Sequence, residues 1–265
     1  MSGSLPASIL VGAAAAAVAT GVRWADRRGR LPGGGERWVR RNHLGREVTL
    51  IEGVALGAGM GLPLLAVDPP AAGAVLLAGT AGALDDLGGR PDVKGLRGHL
   101  GALRRGEVTT GVVKIAVLCG AGLASAVALD RHTGLRAATL AAAGLVAGGA
   151  NLANLLDLRP GRALKVGLLV AVPLAARRAS AAGALGATAV LLPDDLRGRT
   201  MLGDTGANAL GAALGVAAAR SLSPSGRWSW LGVVLALTLV SERVSFTRVI
   251  ESTPVLRELD RWGRP

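Results

Sequence analysis

The feature that most constrains this chain is how its charge is segregated. Long stretches of Ala, Gly, Leu and Val carry almost no ionisable residue, and the Lys, Arg, Asp and Glu residues crowd into the segments between them. A bilayer excludes charge from runs of about 20 residues, whereas a soluble domain spreads charge over its whole surface. Half of the 265 residues are hydrophobic, too many for a fold whose polar groups must cover its core. The expected fold is therefore all-α: a polytopic integral membrane bundle of about nine transmembrane helices in the cell membrane. It occupies 1–240 and is followed by an amphipathic tail at 241–265.

The nine segments are Leu5 to Val22, Leu50 to Val67, Ala71 to Leu84, Thr109 to Leu129, Leu135 to Leu155, Ala163 to Ala176, Ala179 to Leu192, Met201 to Ala219 and Trp228 to Val240. Several are shorter than a bilayer requires, so their ends are expected to extend into the flanking loops, where Arg side chains snorkel outward. The sixth and seventh are short enough to be re-entrant. The 40 Gly and the abundant Ala predict close helix contacts, since small residues let membrane helices approach. The run GAGMG at Gly57 to Gly61 belongs to this packing, because it lacks the strand and the spacing of a dinucleotide loop. Cys119 reads as a small buried hydrophobe, and a single cysteine excludes an internal disulfide. The N-terminal apolar run has its basic residues after it, the reverse of a cleaved signal, so it reads as a first span.

Basic residues mark cytoplasmic loops. Most of the 30 Lys and Arg fall in Arg23 to Val48, Asp85 to Gly106, Leu156 to Lys165, Pro193 to Thr200 and the tail from Ser241. The alternate loops keep only Arg131, Arg136, Arg177, Arg178, Arg220 and Arg227. This bias predicts an outside N-terminus and a cytoplasmic C-terminus. The net charge of +12 follows from that topology and implies no nucleic-acid partner. The tail alternates charged and apolar residues at helical spacing, interrupted by Pro254, as a surface-lying helix would.

With this orientation, three acidic stretches meet at the cytoplasmic face. Asp85 and Asp86 end the third segment, where two adjacent carboxylates repel each other and oppose the helix dipole unless a cation joins them. A hard cation such as Mg²⁺ would do so. A solvated turn, LDDLGG, is the alternative. Asn151, Asn154 and Asp157 share one helix face, as interhelical contacts or as a site. Asp204 sits near the start of the eighth segment, where a carboxylate either caps the helix or needs a partner. Asp194 and Asp195 read as cap and loop residues, and Glu52 as a buried structural or interfacial acid. Lys94, Arg97, Arg104 and Arg105 could meet phosphates or only enforce topology. His43, His99 and His132 lack zinc spacing.

Together, GALDDLGG followed by KGLRG, then NLANLLD, then MLGDTGANALG resemble the family of polyprenyl-phosphate sugar-1-phosphate transferases. That family includes phospho-MurNAc-pentapeptide translocase and the GlcNAc-1-phosphate transferases. The stretch RRNHLGREVTLIEG also resembles its first cytoplasmic loop, and the likeness runs from about Arg40 to Leu214. It implies Mg²⁺-dependent transfer of a sugar phosphate from a UDP-sugar to a polyprenyl phosphate, with release of UMP, in bacterial envelope synthesis. By this likeness Asp204 is a metal ligand, and Asp85 and Asp86 sit at the lipid phosphate or the metal. Asn151, Asn154 and Asp157 face the nucleotide sugar, and Lys94 contacts phosphate or nucleotide. A homodimer is compatible with it. Two departures stand out: Pro160 occupies a position where the family carries a second Asp, and no histidine follows His132, so Arg243 or Arg248 would replace a histidine-rich loop. They motivate the alternative of a catalytically degenerate scaffold or regulator. A transporter reading fits less well, because the acids cluster at helix ends.

Overall fold

The computed structural model describes residues 5–42, 44–88 and 95–265. Among them the fold is helical, with one short hairpin. Every segment expected to be a helix is one: α1 (Leu5–Arg27), α2 (Ile51–Val67), α3 (Pro69–Gly88), α5 (Thr110–Asp130), α6 (Ala137–Leu156), α7 (Arg162–Ala175), α8 (Ala179–Leu196), α9 (Gly203–Ser221) and α10 (Pro224–Ser241). The short α4 (Gly95–Arg104) precedes α5, and α11 (Phe246–Ser252) and α12 (Pro254–Arg261) form the tail. Local chemistry starts several of these helices. The hydroxyls of Thr109, Ser223 and Ser245 accept from backbone N–H groups in the first turns of α5, α10 and α11. Pro224 and Pro254 open α10 and α12, where a missing N–H costs nothing.

α9 is the hub. It packs against α2, α3, α6, α7 and α8, and nearly all its residues from Thr205 to Ala219 are buried. Such contact requires small residues at the crossings. A Cβ on Gly206 would lie 2.6 Å from the Gly53 Cα of α2, and one on Gly82 of α3 would collide with the Asp204 carbonyl. α1 packs on α2 and α8 at one flank, and α5, α6 and α10 pack together at the other.

The outer faces are apolar. Leu10 of α1 is 69% exposed, and Leu169 of α7 is 75% exposed. Large uncovered apolar surfaces of this kind mark contact with another apolar phase. Among the described residues, α1, α5 and α6 are long and apolar enough to cross a membrane, judged by length and composition. Cys119 corrects the expectation of burial. It is exposed on α5, which packs mainly on α3 and α6 and leaves its remaining face uncovered.

Strands β1 (Val39–Arg41) and β2 (Glu47–Thr49) form an antiparallel hairpin between α1 and α2. The Asn42 side chain closes its turn by accepting from the Leu44 and Arg46 N–H groups. Thr49 then bridges in parallel to Thr200, and Met201 N–H donates to the Thr49 carbonyl at 3.1 Å. This sets the starts of α2 and α9 side by side at one end of the bundle.

Candidate functional site

The site lies at that end, where α3, α6 and α8 finish and α2, α5 and α9 begin. Asp85 and Asp86 lie within α3, which runs on to Gly88, so the turn reading of LDDLGG is replaced by helix. Consecutive helical residues point about 100° apart, and the two carboxylates therefore meet different neighbours. Asp85 faces α5: its Oδ1 accepts from the Thr110 hydroxyl at 2.5 Å, and its Oδ2 from Lys114 Nζ at 2.6 Å. The same ammonium pairs with Asp204 of α9. Asp86 faces the start of α9, accepting from Asp204 N–H at 3.1 Å, Thr205 N–H at 2.9 Å and the Thr205 hydroxyl at 2.6 Å. Gly203 has φ +61°, and a Cβ there would sit 2.8 Å from an Asp86 oxygen, so this docking requires glycine. Arg40 of the hairpin donates to the Asp86 carbonyl.

The like-charge conflict expected at Asp85 and Asp86 is therefore resolved within the protein. Lys114 serves Asp85 and Asp204, while the positive N-terminus of α9 serves Asp86. Asp86 caps α9, the role considered for Asp204.

Asp157 follows the last residue of α6 and lies beside Gly203 at the start of α9. Burial, then the neighbouring charge of Asp195, hold its carboxyl well above the usual carboxylate range, and Asp204 and Asp86 act in the same direction. Asp157 lines a cleft of about 440 Å³ together with Arg41, Arg159, Asp195, Ser245 and Thr247. Asp195 is 2% exposed and accepts from Gly161 N–H at 3.1 Å, which corrects its reading as a loop residue. Asp194, beside it, pairs outward with Arg27. Glu52, at the start of α2, is fully buried near Asp195, and neither of its carboxylate oxygens has a hydrogen-bond partner among the described residues.

Of the residues singled out by sequence, Asp85, Asp86, Asp157 and Asp204 thus share one end of the bundle. Asn151 does not join them in hydrogen bonding: its amide donates to the Thr238 hydroxyl of α10 at 3.4 Å, an interhelical contact. Asn154 is half-buried one turn before Asp157. Lys94 and His43 lie outside the described residues. Sequence reasoning missed Lys114, Thr110, Thr205 and Asp195. A signal for Lys114 existed, because a lone lysine one turn into an apolar segment needs an anionic partner.

Magnesium takes oxygen ligands, commonly one or two protein carboxylates completed by water and phosphate. The carboxylates of Asp204, Asp85 and Asp157 are donors of this kind. Among the described residues no three His, Cys, Asp or Glu side chains close round one point, and Lys114 already bridges Asp85 and Asp204. The donor set fits an ion that takes few protein ligands and the rest from a phosphate substrate. No protein-family model matches the chain, and no curated protein does.

Proposed function

We propose that this chain is an integral membrane transferase that moves a sugar-1-phosphate from a UDP-sugar to a polyprenyl phosphate, in bacterial envelope polymer synthesis. The observation that carries the reading is the convergence of Asp85, Asp86, Asp157 and Asp204 from two helices and the end of a third, beside a cleft that also presents Arg41 and Arg159. Phosphoryl transfer needs charge neutralisation and positioning more than covalent help from the protein. A cleft with both carboxylates and guanidinium groups can supply both.

In this reading a phosphate oxygen of the lipid attacks the β-phosphorus of the UDP-sugar. The bond from that phosphorus to the bridging oxygen breaks, and UMP leaves with the oxygen. Asp204 with Asp85 or Asp157 would hold Mg²⁺, which would supply charge neutralisation. Lys114 holds Asp85 and Asp204 in place, and Asp86 fixes the start of α9 on which Asp204 stands. Arg41 and Arg159 bind phosphate, and Ser245 and Thr247 close the cleft from the tail side. All nine long apolar helices cross the cell membrane, with the N-terminus outside and the acidic end cytoplasmic.

A second reading is a catalytically degenerate scaffold or regulator of envelope synthesis. It is favoured by Lys114, which satisfies two acids without a metal, and by Pro160, whose carbonyl accepts from Arg264 of the tail at 2.7 Å. The deciding measurement is UMP release by the purified protein with polyprenyl phosphate and a panel of UDP-sugars, with and without Mg²⁺. The transferase reading expects release that needs lipid and metal and is lost in Asp204→Asn. Absence of release from every donor by folded, lipid-bound protein selects the scaffold.

A further inference from the structure

A second groove, of about 440 Å³, lies between the last turn of α1 and the end of α8, and shares no lining residue with the acidic cleft. Its inner wall is Thr20, Val190 and Leu191, and its rim carries Arg23, Arg27 and Arg28. Five arginines, Arg23, Arg27, Arg28, Arg30 and Arg199, gather here, and among the described residues their ion pairs are with two carboxylates, Asp26 and Asp194. Arg23 Nη1 donates to Asp26 at 2.6 Å, Arg27 pairs with Asp194, and Arg199 lies 3.6 Å from Asp194. The local charge remains positive after both acids are engaged.

Two details point to a ligand. Arg23 is only 9% exposed, and its Nε has no hydrogen-bond partner among the described residues, although a buried guanidinium N–H without an acceptor is costly. Trp24 is 46% exposed and lies under two guanidinium groups, Arg28 at 4.3 Å and Arg30 at 5.6 Å from its ring centre. Guanidinium groups match phosphate oxygens in charge and geometry. Tryptophan beside basic residues is the composition of a membrane–water boundary. The apolar wall behind the rim suits a hydrocarbon chain, which a free phosphate would leave unused.

We propose that this groove binds the phosphate headgroup of an anionic membrane lipid, with an acyl chain lying along the exposed Val190. The assignment does not rest on transfer chemistry at the acidic cleft; it requires only that α1 lies in a membrane.

The test is native mass spectrometry of the delipidated full chain in detergent, titrated with phosphatidylglycerol, phosphatidylcholine of the same acyl chains, or inorganic phosphate. One phosphatidylglycerol should bind at least about tenfold more tightly than phosphatidylcholine, the preference expected when two basic side chains meet an anionic lipid. Arg23→Gln and Arg28→Gln should each weaken it roughly fivefold, and Arg131→Gln, at the opposite end, should leave it unchanged. Arg28 is exposed, so Arg28→Gln decides the matter even if Arg23→Gln fails to fold. Equal retention of the two lipids, or retention insensitive to Arg28→Gln, overturns the proposal. Inorganic phosphate binding as tightly as phosphatidylglycerol would make this a free-anion site and overturn the lipid assignment.

Discussion

Asp85 and Asp86 are neighbours in sequence that do separate work. Asp85 belongs to a three-membered charge cluster with Lys114 and Asp204, whose side chains are between 15% and 22% exposed. Carboxylates so far from water depend on their cation, and removing it strands two like charges. Lys114→Met should therefore destabilise the folded chain by about 3 kcal/mol, read as a lowered thermal midpoint in detergent. Adding Asp204→Asn to Lys114→Met should recover part of that loss, because one stranded charge is removed. A double variant no more stable than Lys114→Met would show that the two groups are not coupled. The acids were legible in the sequence because an acid at the end of an apolar run is conspicuous. Their partners were not. Thr110 and Thr205 look like any hydroxyl near a helix start, and Asp195 resembles a loop residue until α8 is seen to extend past it to Leu196. Three-dimensional proximity, which spacing along the chain does not encode, separates Asn151 from Asp157: one bonds to α10 and the other lines the cleft.

Helices were the most legible level, because apolar blocks bounded by charge leave little choice of element. Some of the segments read as short gained a turn or more, as α3 and α8 show by running on to Gly88 and Leu196, whereas α7 kept its 14 residues. The hairpin was not legible, since three-residue strands in a basic loop carry no alternating pattern. The tail was expected as an amphipathic helix broken at Pro254, and it is split there into α11 and α12. It folds back onto the start of α7. Buried Arg162 makes a two-pronged pair with Asp260, at 2.7 and 3.0 Å, and donates to Thr247 at 2.9 Å. Lys165 donates to the Leu259 and Trp262 carbonyls. Burial would raise the Asp260 carboxyl, but the hydrogen bonds from Arg162 and the charges of Arg162 and Arg264 outweigh it and hold it below the usual range. A detached tail would return Asp260 to the ordinary carboxylate value, so docking draws full support from this pair above that value. The support is lost as pH falls through the lower, docked one. Protection of the α12 amides against hydrogen exchange, corrected for the intrinsic rate at each pH, should thus be high near neutral pH and fall below about pH 4. Asp260→Asn should exchange roughly thirtyfold faster at neutral pH, the equivalent of about 2 kcal/mol, and respond little to acid. Protection that does not change with acid in the unsubstituted chain would remove Asp260 from the docking.

At the scale of the whole molecule the two ends differ in kind. One end gathers Asp85, Asp86, Asp157, Asp195 and Asp204 with the arginines of the α1–α2 connection and the tail. The opposite end holds two closed ion pairs. Arg220 clasps Asp68 with both terminal nitrogens, and Arg227 clasps Asp130 at 2.8 and 3.2 Å while Thr139 donates to the same acid. Those pairs tie α2 to α9 and α5 to α10. In the proposed topology, retention of basic loops in the cytoplasm would turn the acidic end inward. Single cysteines test this in a Cys119→Ser background expressed in bacterial cells. Thr133→Cys and Ser225→Cys lie at the closed end, and Glu36→Cys and Ser252→Cys lie at the acidic end, all at exposed positions. A membrane-impermeant maleimide should label the first pair in intact spheroplasts and the second pair only after permeabilisation. The reverse pattern would invert the orientation and put the acidic cleft where no cytoplasmic nucleotide sugar could reach it. Labelling of all four from outside would mean that the apolar helices do not carry the chain across the bilayer, and the exposed Leu and Val faces would then need another protein to cover them.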